Sequence, residues 1–506
     1  MGDCPNFVRT PHPLGGSPVS SHSLRSAQSH FFEAGSQFPC KLVEALRKSR
    51  AMGAGLQGAS ILKEATMKSL LISAIFAGLL CTNTVMAQTP EPSLDAAKRK
   101  EIVNDLASKL ISDYAVAETG SKMAAALREK LESNAYDNIT SANEFARILT
   151  EDLLAVAHDK HLRVTFSARP LPKAKPGPLP PASIERMRKM NGAIKKLEIL
   201  DGNIGYMRIN AVPPFEASKD AISAAFAFLR NTDALILDNR SNGGGDPNTV
   251  AWYMSYLSEG APYIVNTFHH RKGNRVQEFK TTDLGELSYG TEKPVFVLTS
   301  PNTFSGGEEL TYNIQAFKRG VIVGAVTGGG ANPTTFVQLA HQFQASIPFG
   351  YAVNPITGSN WEGVGVKPDV EVPPEQALIE AHRLAVNQLR KDISDPISRA
   401  SLDAIAMKIE LGRSAAQGGE SVIKQEQLVG TYASAIPIPP LTIVARDGSL
   451  YQIVPGNPEA RLVSVGPNRY KLDGLPDGFF SNFSIKDGKL HLLLEQPQGS
   501  ILLEKQ

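Results

Sequence analysis

Ser305 stands in the stretch TSPNTFSGGEELTYN, Thr299 to Asn313, straight after a loop and just before two glycines. The apolar run Val295-Phe296-Val297-Leu298 ahead of it has strand character. After it, Glu308, Glu309, Leu310, Tyr312, Ile314 and Phe317 have helical spacing, with acidic residues in the first turn where the helix dipole favours them. A serine at the carboxyl end of a buried strand occupies the place where open α/β sheets hold their reacting groups. Gly306 beside it leaves a backbone N–H to face a developing oxyanion. The simpler reading of this stretch alone is that Ser305 only caps the helix.

A serine becomes a good nucleophile when a base takes its proton and donors hold the oxyanion. Seven histidines follow residue 87. His158 and His161 flank Asp159-Lys160 in HDKHLRVTF, a loop running into a strand, while His269-His270 fall in a surface hairpin. His341, His382 and His491 lie in strand or helix patterns without sequence partners. Two histidines three apart also suit a metal, but no third ligand is evident near them, so no metal is assigned. Gly243-Gly244-Gly245 follows the buried-type strand Ala234 to Asp238 and lacks the Lys-Ser/Thr of a phosphate-binding loop, which argues against nucleotide. Together with Gly306, an amide from Gly243 or Gly244 could complete an oxyanion hole. Thr327-Gly328-Gly329-Gly330, after the strand Val321 to Ala325, could serve the site or only turn the chain.

These groups need elements to hold them. Residues 88–166 are expected as a helical N-terminal domain, with Val103, Leu106, Leu110 and Tyr114 on one helical face and Ser141 and Glu144 forming a capping box. Residues 167–195 are Pro-rich and read as a linker or strap. Residues 196–374 alternate strands and helices, which implies parallel pairing by crossover connections. There Ser218 is expected to cap a helix to Leu229, and a helix is expected through Val250 to Leu257. Residues 375–424 read as a helical connector. Residues 425–506 read as short strands and turns, punctuated by Asp447-Gly448, Pro467-Asn468 and Asp487-Gly488, hence a β-rich C-terminal domain.

The formal net charge of +2 over 506 residues leaves no nucleic-acid footprint. Met67-Lys68, the apolar run Leu70 to Leu80 and Thr84-Val85-Met86-Ala87 follow the order of a secretory signal at 67–87. Residues 1–66 are then expected to be an upstream extension, and the mature chain an exported protein, periplasmic or secreted, with no integral membrane domain. Residues 1–87 hold eight of the 52 Lys/Arg and four of the 50 Asp/Glu, leaving 44 basic and 46 acidic. Cys4, Cys40 and Cys81 lie there too, so the remainder has no thiol nucleophile and no cysteine metal site.

LILDNRSNGGG, VLTSPNTFSGGEE, VGAVTGGGANP and NWEGVGVKPDVEV occur in the order and approximate spacing seen in C-terminal processing (tail-specific) and tricorn-type serine peptidases. DKHLRV, after a helical segment, resembles the branch related to interphotoreceptor retinoid-binding protein. The resemblance covers roughly residues 95–373. It implies an α/β, crotonase/ClpP-like catalytic domain with the helical N-terminal and β-rich C-terminal domains attached. It makes Ser305 the nucleophile, with Gly306 and Gly243 or Gly244 at the oxyanion. The processing proteases use a lysine base, and Gly330 stands at that position here. The tricorn-type enzymes use a histidine, which His161 matches, and a glutamate, which Glu362 matches. Lys160 stands where their orienting serine lies, and it could keep His161 neutral.

The implied activity is peptide-bond hydrolysis through an acyl-enzyme on Ser305, acting on peptides or proteins including unstructured C-terminal tails, with no cofactor. The retinoid-binding relatives imply an alternative, a non-catalytic carrier of hydrophobic ligands on the same fold.

Overall fold

The computed structural model describes residues 93–169, 177, 179–416 and 422–506; the segments expected as an upstream extension and an export signal, and the middle of the Pro-rich stretch, lie outside them. The apolar spacing of the N-terminal region folds as α1 (Ala96–Asp113), α2 (Ala117–Glu132) and α3 (Ala142–Ala157). Ser141 caps α3, its side chain accepting from Glu144 N at 3.2 Å, as the capping spacing predicts. The loop after α3 carries Asp159, Lys160 and His161 into strand β1 (Arg163–Phe166). Within the stretch read as a linker lies a short helix, α4 (Pro181–Arg188).

The α/β region begins with β2 (Ile194–Leu200) and β3 (Ile204–Ile209), followed by α5 (Phe215–Leu229), β4 (Ala234–Asp238), α6 (Pro247–Tyr256), the hairpin β5 (Ile264–His270) and β6 (Val276–Lys280), then β7 (Val295–Thr299), α7 (Gly306–Ala316) and β8 (Val321–Gly324). Three more short strands, β9 (Thr334–Gln338), β10 (Phe343–Pro348) and β11 (Gly350–Val353), precede β12 (Val370–Glu371). The main sheet has the order β12-β8-β7-β4-β3-β2, parallel from β3 to β12 with β2 antiparallel at one edge. Every residue of β4 and β7 is buried, which explains their unbroken apolar runs. Each Leu, Ile, Val or Phe so buried contributes about 1.5–3 kcal/mol.

One face of this sheet is covered by α5, α6 and α7 through Ile222, Phe226, Tyr253, Leu310 and Ile314. The other is covered by α8 (Ala377–Asp392) and α9 (Pro396–Ala416), the region expected as a connector. Ala377, Ala381 and Ala385 recur every four residues on α8, and their small side chains bring it close to the strands. Covered on both faces, the sheet leaves its chemistry to the carboxyl ends of β4, β7 and β8.

Two local expectations change. Helix α5 starts at Phe215 after Pro214, and Ser218 is inside it, its Oγ donating to Pro213 O at 3.1 Å instead of capping. Helix α6 starts at Pro247, capped by Asp246, whose side chain accepts from Asn248 N. Pro247 at the first helical position of α6 is pre-set for a helix start and Pro214 is the N-cap of α5, and both helices begin earlier than their periodic residues suggest.

β1 pairs with β10 and β10 with β9, so that Leu339, Phe343, Ala345 and Ile347 enter one core with Leu106, Phe145 and Leu149 of the N-terminal helices. The helical layer is thereby tied to the loop that follows β8. At the C-terminal end, eight antiparallel strands from β13 (Gly430–Ser434) to β20 (Gly499–Lys505) close into a meander barrel, β13 pairing with both its successor and β20. Asp447-Gly448 and Asp487-Gly488 both have positive φ, the conformation of two-residue hairpin turns. Tyr432, Ile443, Phe483, Leu492 and Leu503 fill the barrel, and closure removes the exposed edges an open sheet would carry. Ala404 and Met407 of α9 pack on Leu493 of the barrel. No described helix is long and apolar enough to cross a membrane.

Candidate active site

Ser305 lies between β7 and α7 with φ 52° and ψ −122°. A plain N-cap takes an extended conformation, and a non-glycine residue at positive φ is strained by about 1–3 kcal/mol. Such a turn presents a side chain at the head of a helix, as nucleophile turns between strand and helix do. The triple-glycine loop after β4 runs against it. A Cβ on Gly244, whose φ is 94°, would lie 2.5 Å from Gly306 N and 2.7 Å from Ser305 Cβ, so only glycine allows this approach.

The polar residues of LDNRSNGGG hold that contact. Phe304 N donates to Asn242 O at 2.9 Å, and Asn239 Nδ2 donates to Gly307 O and to Thr311 Oγ1. Arg240 pairs with the buried Asp238, Nη2 to Oδ2 at 2.7 Å, and donates through Nη1 to Pro374 O. Two of the expected oxyanion donors already have acceptors. Gly243 N already donates to Asn210 O at 3.2 Å and Gly244 N to Asn242 Oδ1 at 3.0 Å. Gly306 N and Gly245 N are the amides here without an acceptor among the described residues. Gly245 N is 2.8 Å from the Cβ that Gly306 lacks.

Glu308 ties the serine turn to the loop after β8. It is fully buried, and Oε2 accepts from Ser305 N at 2.9 Å and Gly330 N at 2.8 Å. Oε1 accepts from Gly329 N at 2.6 Å and Thr327 Oγ1 at 2.5 Å. Burial raises its carboxyl above the ordinary range, against these four bonds. The next two amides of the loop serve the other glutamate: Ala331 N and Asn332 N donate to Glu362 Oε2 at 2.6 and 2.9 Å. The glycine-rich loop is thus a double carboxylate cradle.

His161 reaches the same loop from the helical side. Its ring packs on Phe304, the residue before Ser305, with centroids 4.7 Å apart. Asp159 Oδ1 lies 3.8 Å from His161 Nδ1, and Asp159 Oδ2 accepts from Tyr114 OH at 3.2 Å and Asn332 Nδ2 at 3.0 Å. Burial lowers the His161 pKa, while Asp159 pulls it the other way. Burial and the neighbouring Asp159 push the Glu362 carboxyl up to about 7, against its two amide bonds. The structure therefore brings His161, Asp159 and Glu362 together beside the Ser305 turn; among the described residues no hydrogen bond joins His161 to Ser305. Catalytic hydrogen bonds are often loose before substrate binds.

Lys160 does not take the place expected for it. Its ammonium turns to Gly328 O at 2.6 Å, and it is burial, not Lys160, that holds His161 down. Gly330 has no room for the lysine of the processing proteases: a Cβ there would meet Phe304 Cζ at 2.3 Å and His161 Cε1 at 2.8 Å. Phe304 and His161 occupy that space instead. Asp159, Phe304, Glu308 and Asn332 escape a reading by sequence, although the DxH spacing, and a glutamate three residues after the serine, were visible signals.

Glu309, the next residue of α7, points away into the core near Asn266 and Asp246. Complete burial raises its carboxyl to about 8, Asp246 adding to the effect and Asn266 opposing it. In the unfolded chain it ionises near its ordinary value, so between about 4.5 and 8 the folded chain holds a proton that the unfolded chain has lost. This contribution to stability is full at low pH and is lost as pH rises through about 8. Glu309→Gln removes that slope, worth up to about 1.4 kcal/mol per pH unit in this range. Urea midpoints at pH 5 and 8.5 are expected to converge in the variant; a slope unchanged from wild type would contradict it.

Residues 203–372 match the model of peptidase family S41, and residues 96–197 match that of the N-terminal domain of peptidase S41 in eukaryotic IRBP. A carboxy-terminal-processing protease of Bartonella bacilliformis is 29% identical over 191 residues, 36% of this chain; the match spans 42% of that relative's length. Among solved structures, a lipoprotein from Streptococcus agalactiae is similar with a TM-score of 0.39 and 15% identity, over 57% of this chain and 97% of its own. The photosystem II D1 C-terminal processing protease is similar with a TM-score of 0.35 and 16% identity, over 55% and 94% respectively.

Proposed function

Because residues 96–197 and 203–372 match two peptidase S41 models, we propose that the chain is an exported serine endopeptidase with Ser305 as nucleophile and a histidine, not a lysine, as base. The observation that carries this reading is the strained Ser305 turn, with an amide at Gly306 that has no acceptor among the described residues and a half-buried His161 across Phe304. On a crotonase/ClpP-like core, Ser305 Oγ attacks the scissile carbonyl carbon and its proton passes to His161. The low pKa keeps that imidazole neutral near pH 7, hence able to accept. The oxyanion takes hydrogen bonds from Gly306 N–H and from Gly245 N–H, the amide of the triple glycine not already donating. His161 then gives its proton to the leaving amine, and an ester to Ser305 remains. Water, deprotonated by His161, hydrolyses that ester.

Asp159 and Glu362 act on His161. Asp159, 3.8 Å from Nδ1, replaces the orienting serine of the tricorn-type enzymes, and Glu362 stabilises the imidazolium once it forms. Lys160 has a structural part, clipping the His161 loop to Gly328. The substrates are polypeptides, with unstructured C-terminal tails among them, in the bacterial envelope or outside the cell.

A fluorophosphonate probe tests this directly. Mass spectrometry of the labelled full chain is expected to place the adduct on Ser305, with cleavage of an unstructured polypeptide pool by the unlabelled protein. A folded chain that neither labels nor cleaves would favour a carrier of hydrophobic ligands.

A further inference from the structure

We propose that Asp159, His161 and Glu362 form a three-ligand site for a divalent transition-metal ion of the zinc class, and that filling it switches the peptidase off. The binding half stands on the geometry alone; the switch half rests on the peptidase reading above.

The three side chains each offer one ligand atom, and these atoms lie within 4.8 Å of one another. Zinc sits about 2.0–2.2 Å from imidazole nitrogen and carboxylate oxygen, so modest side-chain rotation closes the site around one ion. Two potential ligand atoms of these side chains are unpaired. His161 Nδ1 and Glu362 Oε1 are both buried from solvent with no hydrogen-bond partner. Buried polar atoms are normally satisfied, so two orphans on side chains of one three-residue cluster ask for a partner.

The surroundings also resemble a prepared ligand set. Glu362 is held by Oε2 alone, from Ala331 N and Asn332 N, which leaves Oε1 toward the cluster. Asp159 is held through Oδ2 by Tyr114 OH and Asn332 Nδ2, while Oδ1, which accepts from His161 N at 3.0 Å, faces His161 Nδ1. Outer hydrogen bonds of this kind orient the ligands of metal sites. Among the described residues no lysine or arginine pairs with either carboxylate. Two carboxylates and a neutral imidazole balance the charge of a divalent ion, and one nitrogen with two oxygens suits zinc better than calcium or magnesium. Three protein ligands leave a coordination position for water.

The consequence for the proposed chemistry follows from the imidazole. With Nδ1 bound to the ion, Nε2 keeps the ring's proton. The ring then cannot accept the proton of Ser305, and a divalent charge beside it opposes imidazolium formation. Metal and catalysis therefore exclude each other at His161.

The test uses the full chain stripped with EDTA and titrated calorimetrically with zinc chloride. One ion per chain is expected, with affinity reduced at least tenfold in Glu362→Gln and in Asp159→Asn and unchanged in Ser305→Ala. X-ray absorption at the zinc edge on the wild type is expected to show nitrogen and oxygen ligands only. This excludes Cys4, Cys40 and Cys81 and does not depend on the folding of any variant. Absence of stoichiometric zinc, sulfur in the first shell, or unchanged affinity in a folded Glu362→Gln overturns the site. Fluorophosphonate labelling of Ser305 is expected in EDTA, lost with bound zinc and restored by chelation. Labelling that persists with zinc bound, or cleavage that requires zinc, overturns the switch. Zinc binding without labelling even in EDTA would instead strike the peptidase reading, and the switch with it.

Discussion

Ser305→Ala is expected to lower the rate of polypeptide cleavage by about four orders of magnitude or more and to leave the urea unfolding midpoint close to that of wild type. The size follows from what serine supplies: without the nucleophile, what remains is the oxyanion site and substrate binding, worth far less than the whole unit. Stability changes little because the strain of the turn lies in the backbone. Alanine at φ 52° suffers the same Cβ crowding as serine, and the hold of Glu308 on the residue 305 amide is unaffected. Steady-state cleavage of an unstructured polypeptide, measured beside the unfolding curve, checks both parts. A folded variant that keeps a tenth of the activity would remove Ser305 from the mechanism.

Glu308→Ala is expected to be the most damaging single change outside the reacting groups. It removes both acceptor oxygens of a fully buried carboxylate and strands four donors, from Ser305 N, Thr327 Oγ1, Gly329 N and Gly330 N. Breaking a buried charged network in this way costs about 3–5 kcal/mol. Glu308→Gln fills the volume but turns an NH2 group toward at least one of the N–H donors, at a cost of about 1–3 kcal/mol. Because the same carboxylate sets the Ser305 turn against the loop that carries Glu362's donors, kcat in the Gln variant is expected to fall about a hundredfold or more with KM nearly unchanged. Misplacing reacting groups by about an ångström has effects of that size. A variant destabilised as expected but with wild-type kcat would make Glu308 a structural residue only.

The Ser305 proton and the metal ion would compete for one ring, that of His161. Its burial keeps the ring neutral, which suits it to take a proton and equally to take a metal. Between those two fates the neighbours decide, and both neighbours are carboxylates.

Much of the framework was legible along the chain. The apolar runs of β4 and β7 predict buried parallel strands because strands covered on both faces need no polar alternation. The Ser141 cap and the Asp-Gly hairpin turns are local geometries that four residues suffice to specify. Helix starts were less legible, since Pro214 and Pro247 open α5 and α6 before the apolar period begins. Closure of the C-terminal strands into a barrel depends on β13 meeting β20, a pairing between the ends of the domain that no short window contains.

The candidate site divides in the same way. By itself the sequence determined the position of Ser305 between strand and helix, the glycine loops that can approach it, and the absence of cysteine chemistry beyond residue 87. Each of these depends on residue type and near neighbours. Only the tertiary structure decided what the charged groups do. Glu308 has the sequence signature of a helix-dipole residue, yet its carboxylate folds back onto amides from a loop after the next strand. Lys160 adjoins His161 in sequence but turns to Gly328, while Glu362, distant in sequence, reaches His161. Gly243 and Gly244 look free and are already bonded; Gly245 is not. A carboxylate or an amide takes its role from the partner it meets across the fold, and neither the period nor the composition of a segment carries that partner's identity.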